Sequence, residues 1–193
     1  LVNESGKVLA SDKAEVAVDQ SLAGNIWPTG VHITNKKTVP KTVAVGKQVQ
    51  MYGAVTPVRL KQSVKWSVGK ALDTESRKHA TITDDGLVTF TSPGTVYIRA
   101  NPENALYSAV TDTVEFKVVS REELPVTDFS IGGTLDIKEG ETSQLTIENA
   151  SPAGAYTGDV KWECSDTSAA VITQGGVVTA LDAGQGLQVS KTV

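Results

Sequence analysis

The amino-acid sequence predicts an all-β chain built as two tandem antiparallel β-sandwiches, and three observations predict it. Apolar and polar residues alternate with a period of two in short segments, and Gly, Pro and Asp turn signals separate these segments. One set of motifs also occurs twice along the chain. The composition agrees, because 39% of the residues are hydrophobic and the alternating segments are rich in Val and Thr, which favour strands.

The internal repeat is the strongest of these observations. Val64-Lys65-Trp66 recurs as Val160-Lys161-Trp162 at an offset of 96, and the segment 80–90 recurs as 170–180 at an offset of 90. Further matches pair Gly46 with Gly140, Pro57 with Pro152, and Gly94 with Gly184. A drifting offset of this length predicts two copies of one domain with small loop differences, and it is too long for a solenoid repeat.

The repeat also sets the predicted domain boundaries. The first domain covers 29–121 and the second covers 122–193, and the polar stretch from Arg121 to Pro125 forms the linker between them. Residues 1–28 match neither copy, so we interpret them as an N-terminal extension or the remnant of a preceding module. They contain one short alternating stretch, 15–19, that could form a strand.

The alternation also predicts which residues are buried. Val64, Trp66 and Val68 share one face of a strand, and the lysines and serines between them share the other face. Trp66 and Trp162 are therefore predicted in the cores, where a large aromatic side chain contributes most, and not as exposed platforms for sugars. The predicted structural core comprises Trp66, Trp162, Val64, Val160 and Cys164.

The single cysteine and the turn glycines have structural interpretations. Cys164 stands where the first copy has Val68, so we expect a small buried hydrophobe and not a nucleophile. Gly86 ends the Asp84-Asp85-Gly86 hairpin turn, and Gly94 follows Ser92-Pro93 in another turn. The predicted turn positions are Gly86, Gly94, Gly176 and Gly184. No stretch has the periodicity of a helix of ten or more residues.

These motifs in combination resemble the bacterial immunoglobulin-like domain of group 2, the type found in intimin- and invasin-like adhesins. The resemblance covers 29–193 and rests on a glycine before the second strand, a following proline, the V-x-W strand, and the A-x-I-x-x-x-G-x-V-T hairpin. It implies an immunoglobulin-like sandwich of about seven to nine strands in each domain. Such domains occur in surface adhesins, secreted carbohydrate-active proteins and phage capsid or tail proteins, and the family offers no catalytic residues to transfer.

The second copy departs from the pattern at its end. After Gly94 the first copy continues for 25 residues to Val119, whereas only nine residues follow Gly184. The last strand is therefore predicted to be missing, which would leave an open edge. Three interpretations remain: the chain is truncated or partial, the segment Ser190–Val193 replaces the strand, or another chain donates a strand, for example through its residues 15–19.

The charge distribution is opposite in the two halves. Residues 29–121 carry a net charge of +6, residues 122–193 a net charge of −8, and residues 1–28 a net charge of −2. One hypothesis is that lysines of the first domain bind an anionic partner, such as an acidic domain or a polysaccharide, and the alternative is a solvated face. The candidate residues are Lys36, Lys37, Lys41, Lys47, Lys61 and Lys65.

The sequence predicts no catalytic, metal or cofactor site. His32 and His79 have no partners at the spacing of zinc ligands, and no G-x-S-x-G motif occurs. Asp84 and Asp85 are adjacent in a turn, where their side chains diverge. One alternative stays open, that acidic residues of the second half line an interdomain calcium site, namely Asp136, Glu139, Glu141, Glu148 and Asp159.

Together these features favour a non-catalytic, extracellular module for adhesion or spacing on a bacterial cell surface. The alternatives are a decoration or appended domain of a phage virion protein, and an accessory domain of a secreted enzyme. We expect the partner to be a protein or glycan at a cell or virion surface, or a neighbouring copy of the chain. Nucleic acid is disfavoured because no aromatic residues interleave with the lysines, and no apolar run of about 18 residues could span a membrane.

Overall fold

The first unit, residues 27–121, contains nine strands and one helical turn. The computed structural model describes residues 27–103, 109–159, 161–182 and 189–192. The elements of the first unit are β1 (Gly30–Ile33), β2 (Thr42–Ala44), β3 (Gln48–Gln50), β4 (Gly53–Thr56), β5 (Val64–Val68), α1 (Ser76–His79), β6 (Ala80–Ile82), β7 (Leu87–Phe90), β8 (Gly94–Pro102) and β9 (Asp112–Val119).

The strands of the first unit form two main sheets. One sheet has the strand order β2-β9-β8-β5, the other has the order β3-β7-β6, and β1 pairs with β4 beside them. Phe90 of β7 and Phe116 of β9 meet between the two main sheets, with ring centroids 5.0 Å apart and ring planes inclined by 54°. Both side chains are fully buried. The two sheets therefore enclose one apolar core, as in an immunoglobulin-like sandwich.

One pairing of the first unit differs from the expected antiparallel strands, and the unit also contains one short helical turn. β2 pairs with β9 in parallel, with Val43 opposite Val118, while the other pairings in this unit are antiparallel. The one-turn helix α1 begins where Asp73 accepts hydrogen bonds from the backbone N–H groups of Glu75 and Ser76. A single turn is too short to leave a helical period in the sequence.

The second unit, residues 122–192, contains seven described strands. They are β10 (Asp128–Gly132), β11 (Thr142–Gln144), β12 (Thr146–Ser151), β13 (Lys161–Cys164), β14 (Ala170–Ile172), β15 (Val177–Ala180) and β16 (Val189–Thr192). The pairings are β10-β12, β11-β15-β14 and β13-β16, all antiparallel. Its buried cluster consists of Leu145, Trp162, Ala170 and Val178 and shares no residue with the core of the first unit. The chain is all-β with immunoglobulin-like sheets, and the boundary between 121 and 122 stays a prediction.

The described part of the second unit lacks counterparts of β2 and β9. β16 pairs with β13, opposite Trp162, just as β8 pairs with β5, opposite Trp66. The segment Ser190–Val193 therefore does not replace the last strand, because its described residues, up to Thr192, lie in the place of β8. Ile137, which corresponds to Val43 of β2, packs on the core without forming a strand. The segment 15–19, considered as a strand donated by another chain, lies outside the described residues.

Candidate functional site

The first candidate for function is the joint between the two units, where Arg121 makes three kinds of contact. Its Nη1 donates hydrogen bonds to both carboxylate oxygens of Asp159, at 2.8 and 2.9 Å. Its Nε donates to the carbonyl oxygen of Val45 at 3.1 Å, and its Cζ lies 4.0 Å from the centroid of the Tyr156 ring. One guanidinium therefore binds the first unit and stacks on and pairs with the second.

The backbones of the two units also touch at this joint. The N–H of Ala44 in β2 donates to the carbonyl oxygen of Gly154 at 2.9 Å. A Cβ on Gly154 would lie only 1.9 Å from the carbonyl oxygen of Thr42, so only glycine permits this approach. The next residue, Ala155, is fully buried. The loop after β12 thus seats directly on the edge strand β2.

Gly46 has a double role at the joint. Its φ of +90° is in the left-handed region, which suits the turn between β2 and β3. A Cβ there would also lie 2.9 Å from both the Arg121 guanidinium and the Tyr156 ring. Its counterpart Gly140 has a φ of +78° but open space around it. Gly46 was identified from sequence as a family motif, and the structure adds its contact with the second unit.

The second candidate is a groove of about 620 Å³ on the first unit. It lies between the start of β5, the β3–β4 connection and the β6–β7 turn, and its walls include Tyr52, Gln62, Trp66, Asp84, Asp85 and Glu103. The volume is in the range of ligand pockets. Tyr52 is 59% exposed, so its ring is accessible at the rim.

The two tryptophans expected in the cores differ in burial. Trp162 is 5% exposed and belongs to the second core, whereas Trp66 is half-buried, packs against the first core and lines the groove. Each indole lies against a turn glycine: a Cβ would come within 2.9 Å of Trp66 at Gly86 and within 3.2 Å of Trp162 at Gly176. These glycines have φ values of +89° and +81°, in the left-handed region that the predicted turns require.

The remaining predicted core and turn residues have these positions. Val64 is partly buried against the first core, and Cys164 is partly buried against the second, with its Sγ 3.2 Å from the carbonyl oxygen of Asp166. Gly94 begins β8 with a φ of +153°, close to the His79 ring. Val160 and Gly184 lie outside the described residues.

The six candidate lysines do not form one patch. Lys36, Lys37 and Lys41 precede β2 at one edge of the four-stranded sheet, while Lys61 and Lys65 lie at β5, the opposite edge. Three intervening strand spacings separate these edges by about 14 Å. The residues share a charge, which sequence reveals, but not a location, which depends on strand order.

Several of these lysines are already engaged. Lys36 pairs with Asp112 at 2.7 Å and Lys61 pairs with Glu103 at 2.6 Å. Burial lowers the pKa of Lys47, and burial together with neighbouring Lys36 lowers the pKa of Lys41. Of the six, Lys37, Lys41, Lys47 and Lys65 have no ion pair within the described chain, although Nζ of Lys41 donates a hydrogen bond to the Lys36 carbonyl oxygen. An anionic partner would therefore meet a weaker positive field than the count of lysines implies.

Two of the other titratable residues considered from the sequence, His79 and Asp159, have structural partners. His32 is exposed, and Nδ1 of His79 lies 2.9 Å from Oγ of Ser92. Asp159, one of the acidic residues considered for calcium, pairs with Arg121. Within the residues that the structure describes, no three His, Cys, Asp or Glu side chains are grouped closely enough to hold a metal ion. Among the described residues there is no helix with the length and hydrophobicity of a membrane span.

Comparison with protein families gives a match in the second unit. The model of the bacterial Ig-like domain, group 2, matches residues 125–192, about a third of the chain. The matched segment contains the V-x-W strand and the glycine hairpin on which the resemblance was based. No curated protein matches the chain.

The solved structures that are similar to this chain are distant. Human protocadherin-24 EC1-2 is 9% identical with a TM-score of 0.33, and the alignment covers 86% of this chain and 94% of that one. Domains 4 and 5 of the S-layer protein SbsC are 14% identical with a TM-score of 0.31, covering 84% and 94%. Bacteroides uniformis β-glucuronidase 3 is 14% identical with a TM-score of 0.29, covering 86% of this chain and 21% of that one.

The joint is the part of the site that sequence reasoning missed. Arg121 was assigned to a linker, and neither Gly154 nor Tyr156 was singled out. The opposite net charges of the two halves were a signal of contact between them, and the Arg121–Asp159 pair is one such contact. Charge alone could not identify the pair, because the close backbone approach at Gly154 depends on the folded loop.

Proposed function

We propose that this chain is a non-catalytic Ig-like module that spaces or presents binding surfaces on the outside of a bacterial cell. The family match supplies the class of module, and the contacts at the joint support the spacing role. A tandem pair separated by a free linker would point in all directions, whereas a pair held by contacts keeps its far end at a defined position.

We further propose that the first unit is a second copy of the same domain. The turns Thr83–Gly86 and Thr173–Gly176 support this, because each closes with a glycine N–H donating to the threonine carbonyl, at 3.0 and 2.9 Å. The threonine hydroxyl also accepts the next backbone N–H in both turns, at 3.0 and 3.1 Å. Such matching of local contacts is expected of a duplicated domain.

The single observation that carries the spacing role is the Arg121 contact set. The Arg121 side chain pairs through Nη1 with both carboxylate oxygens of Asp159 and donates a hydrogen bond through Nε to the Val45 carbonyl. It also stacks on the Tyr156 ring. A guanidinium suits this task because it is planar and always charged. The connection adds to this restraint, since eight residues, 120–127, separate β9 from β10.

Two measurements test the proposal. An antibody raised against the chain should label intact bacterial cells that produce the full-length protein, before permeabilisation, and labelling only after lysis would contradict the surface role. In solution, ¹⁵N relaxation should give one common rotational correlation time for both units. Separate, shorter times for each unit would contradict the spacing role, because the units would then move independently.

A further inference from the structure

The open edge of β5 is the feature from which we draw a further inference. β5 is the last strand in the order β2-β9-β8-β5, so no described strand lies on its outer side. Edge strands present backbone N–H and C=O groups that can pair with another chain. Which of these groups point outward follows from the pairing with β8.

The hydrogen bonds at both ends of the β5–β8 ladder fix this direction. Glu103 N–H donates to the Ser63 carbonyl at 3.2 Å, and Gly69 N–H donates to the Tyr97 carbonyl at 2.7 Å. In an antiparallel pair, hydrogen-bonded and non-hydrogen-bonded positions alternate, so the odd-numbered residues of β5 bond to β8. The even-numbered residues 64, 66 and 68 therefore direct their backbone groups away from the sheet.

Two of these three outward positions have no backbone hydrogen-bond partner in the part of the chain that the structure describes. Among the described residues, the Val68 carbonyl accepts a hydrogen bond from Nε of Arg77 at 3.3 Å. The outward N–H and C=O groups of Val64 and Trp66 have no such bond within the described chain. Pro102, which has no N–H, lies opposite Val64, where the ladder requires no donor. Residues two apart on a strand are about 6.7 Å apart, the repeat with which a second strand pairs.

The second unit shows what closes such an edge. The Trp162 N–H donates to Oε1 of Gln174 at 3.4 Å, and Nε2 of Gln174 donates to the Trp162 carbonyl at 3.2 Å. The Gln174 side-chain amide thus provides hydrogen-bond partners for the outward N–H and C=O groups of Trp162 in β13. The corresponding position in the first unit is Asp84, whose carboxylate is one methylene shorter and has no N–H to offer the Trp66 carbonyl.

The surroundings of the β5 edge indicate the chemistry of a partner. The groove of about 620 Å³ runs beside Val64 and Trp66, and its walls carry the exposed carboxylates of Asp84 and Asp85 together with Glu103 and Lys65. Glu103 is paired with Lys61, so the net charge of the groove is negative and lies at Asp84 and Asp85. The exposed Tyr52 ring lies at the same groove and offers an apolar contact. An extended backbone with a basic side chain matches this combination of free backbone groups and negative charge.

We propose that the open edge of β5 binds an extended peptide segment of a partner protein, which adds to the sheet as a strand and places a lysine or arginine against Asp84 and Asp85. This inference specifies one of the binding surfaces named in the proposed function, and it rests on that proposal for its biological setting. The spacing role has separate tests, so failure of peptide binding leaves that role intact and failure of spacing leaves the edge intact.

The test uses the full chain and a synthetic heptapeptide of alternating lysine and valine with blocked ends. We expect the amide resonances of Val64 and Trp66 to shift on titration, and the Trp66 amide to exchange at least 10-fold more slowly with bound peptide. The same peptide, N-methylated at the amides that face the edge, should bind about 30-fold more weakly, because two backbone hydrogen bonds are lost.

Two variants sharpen the test. Asp84→Gln should close the edge as Gln174 does in the second unit and weaken binding at least 10-fold, while its melting temperature shows that the fold is kept. The reciprocal variant, Gln174→Asp, should open β13 and bring a peptide-induced shift at the Trp162 amide. Equal binding of the N-methylated peptide, no shift at millimolar peptide, or shifts caused by maltoheptaose but not by peptide would each overturn the proposal.

Discussion

Replacing Gly154 with alanine should separate the two units without unfolding either one. The new Cβ would lie 1.9 Å from the Thr42 carbonyl oxygen and 3.2 Å from Cα of Val43. An ordinary C···O contact is about 3.3 Å or more, so the loop must retreat by about 1.4 Å. Both of these neighbouring atoms belong to the backbone of β2, which cannot rotate aside as a flexible side chain would.

The retreat removes identifiable contacts at the joint. The hydrogen bond from Ala44 to Gly154, 2.9 Å long, would be broken at a net cost of about 0.5–1.5 kcal/mol. If Tyr156 moves with the loop, its stacking under Arg121 is weakened by about 0.5–1 kcal/mol. Together these losses of about 1–2.5 kcal/mol shift the equilibrium from docked to undocked units by roughly 5- to 70-fold.

The assay is ¹⁵N relaxation of the two units, with a matched glycine variant as the control. Gly154→Ala should give each unit its own, shorter correlation time while the chemical shifts of both cores persist. Gly175→Ala is the control, because a Cβ there meets only Oγ1 of Thr173 at 3.7 Å. A Gly154→Ala protein that still tumbles as one body would refute the role assigned to this close contact.

Three further predictions concern the stability of the first unit, each measured by urea unfolding. Phe116→Ala should destabilise it by about 3–5 kcal/mol, because the ring is fully buried; a loss below about 1 kcal/mol would contradict the assigned core. Gly86→Ala should lower the free energy of unfolding by more than the roughly 1–2 kcal/mol that a left-handed non-glycine residue costs, since its Cβ would also meet the Met51 carbonyl oxygen. The control Gly140→Ala, in the second unit, should cost only that amount, and equal losses for the two variants would contradict the contact at Gly86. The pKa of Asp112 is lowered: burial opposes ionisation, but hydrogen bonds from Lys36 and two backbone N–H groups outweigh it. Ionised Asp112 therefore stabilises the fold above its unfolded pKa of about 4, and the deficit of Asp112→Asn should shrink as the pH falls below that value; a constant deficit from pH 7 to pH 3 would refute this sign.

The fold was predictable where the residue pattern is local. The alternation around Trp66 and the Asp84-Asp85-Gly86 turn each depend on a few neighbouring residues, so the sequence displays them directly. The parallel pairing of β2 with β9 was not predictable in the same way, because it joins segments that are more than 60 residues apart. Alternation indicates which face of a strand is buried, but it does not indicate which strand lies beside it.

The candidate site was less predictable for the same reason. The charges of Lys36 and Lys61 are visible in the sequence, but their carboxylate partners and their opposite positions on the sheet follow only from strand order. Likewise, Asp84 and Gln174 are aligned by the repeat, yet the effect of that difference appears only once Gln174 is seen bonded to the Trp162 backbone.

The parallel pairing of β2 and β9 also has a mechanical consequence. Tension that draws the start of β2 and the end of β9 apart acts along the two strands, so the bonds between them are strained together in shear and cannot open one by one. Thr42, Val43 and Ala44 are the β2 residues in this register, opposite Lys117, Val118 and Val119. Single-molecule stretching should find a higher rupture force for the first unit than for a variant with Val43→Pro, which removes a backbone donor from the strand.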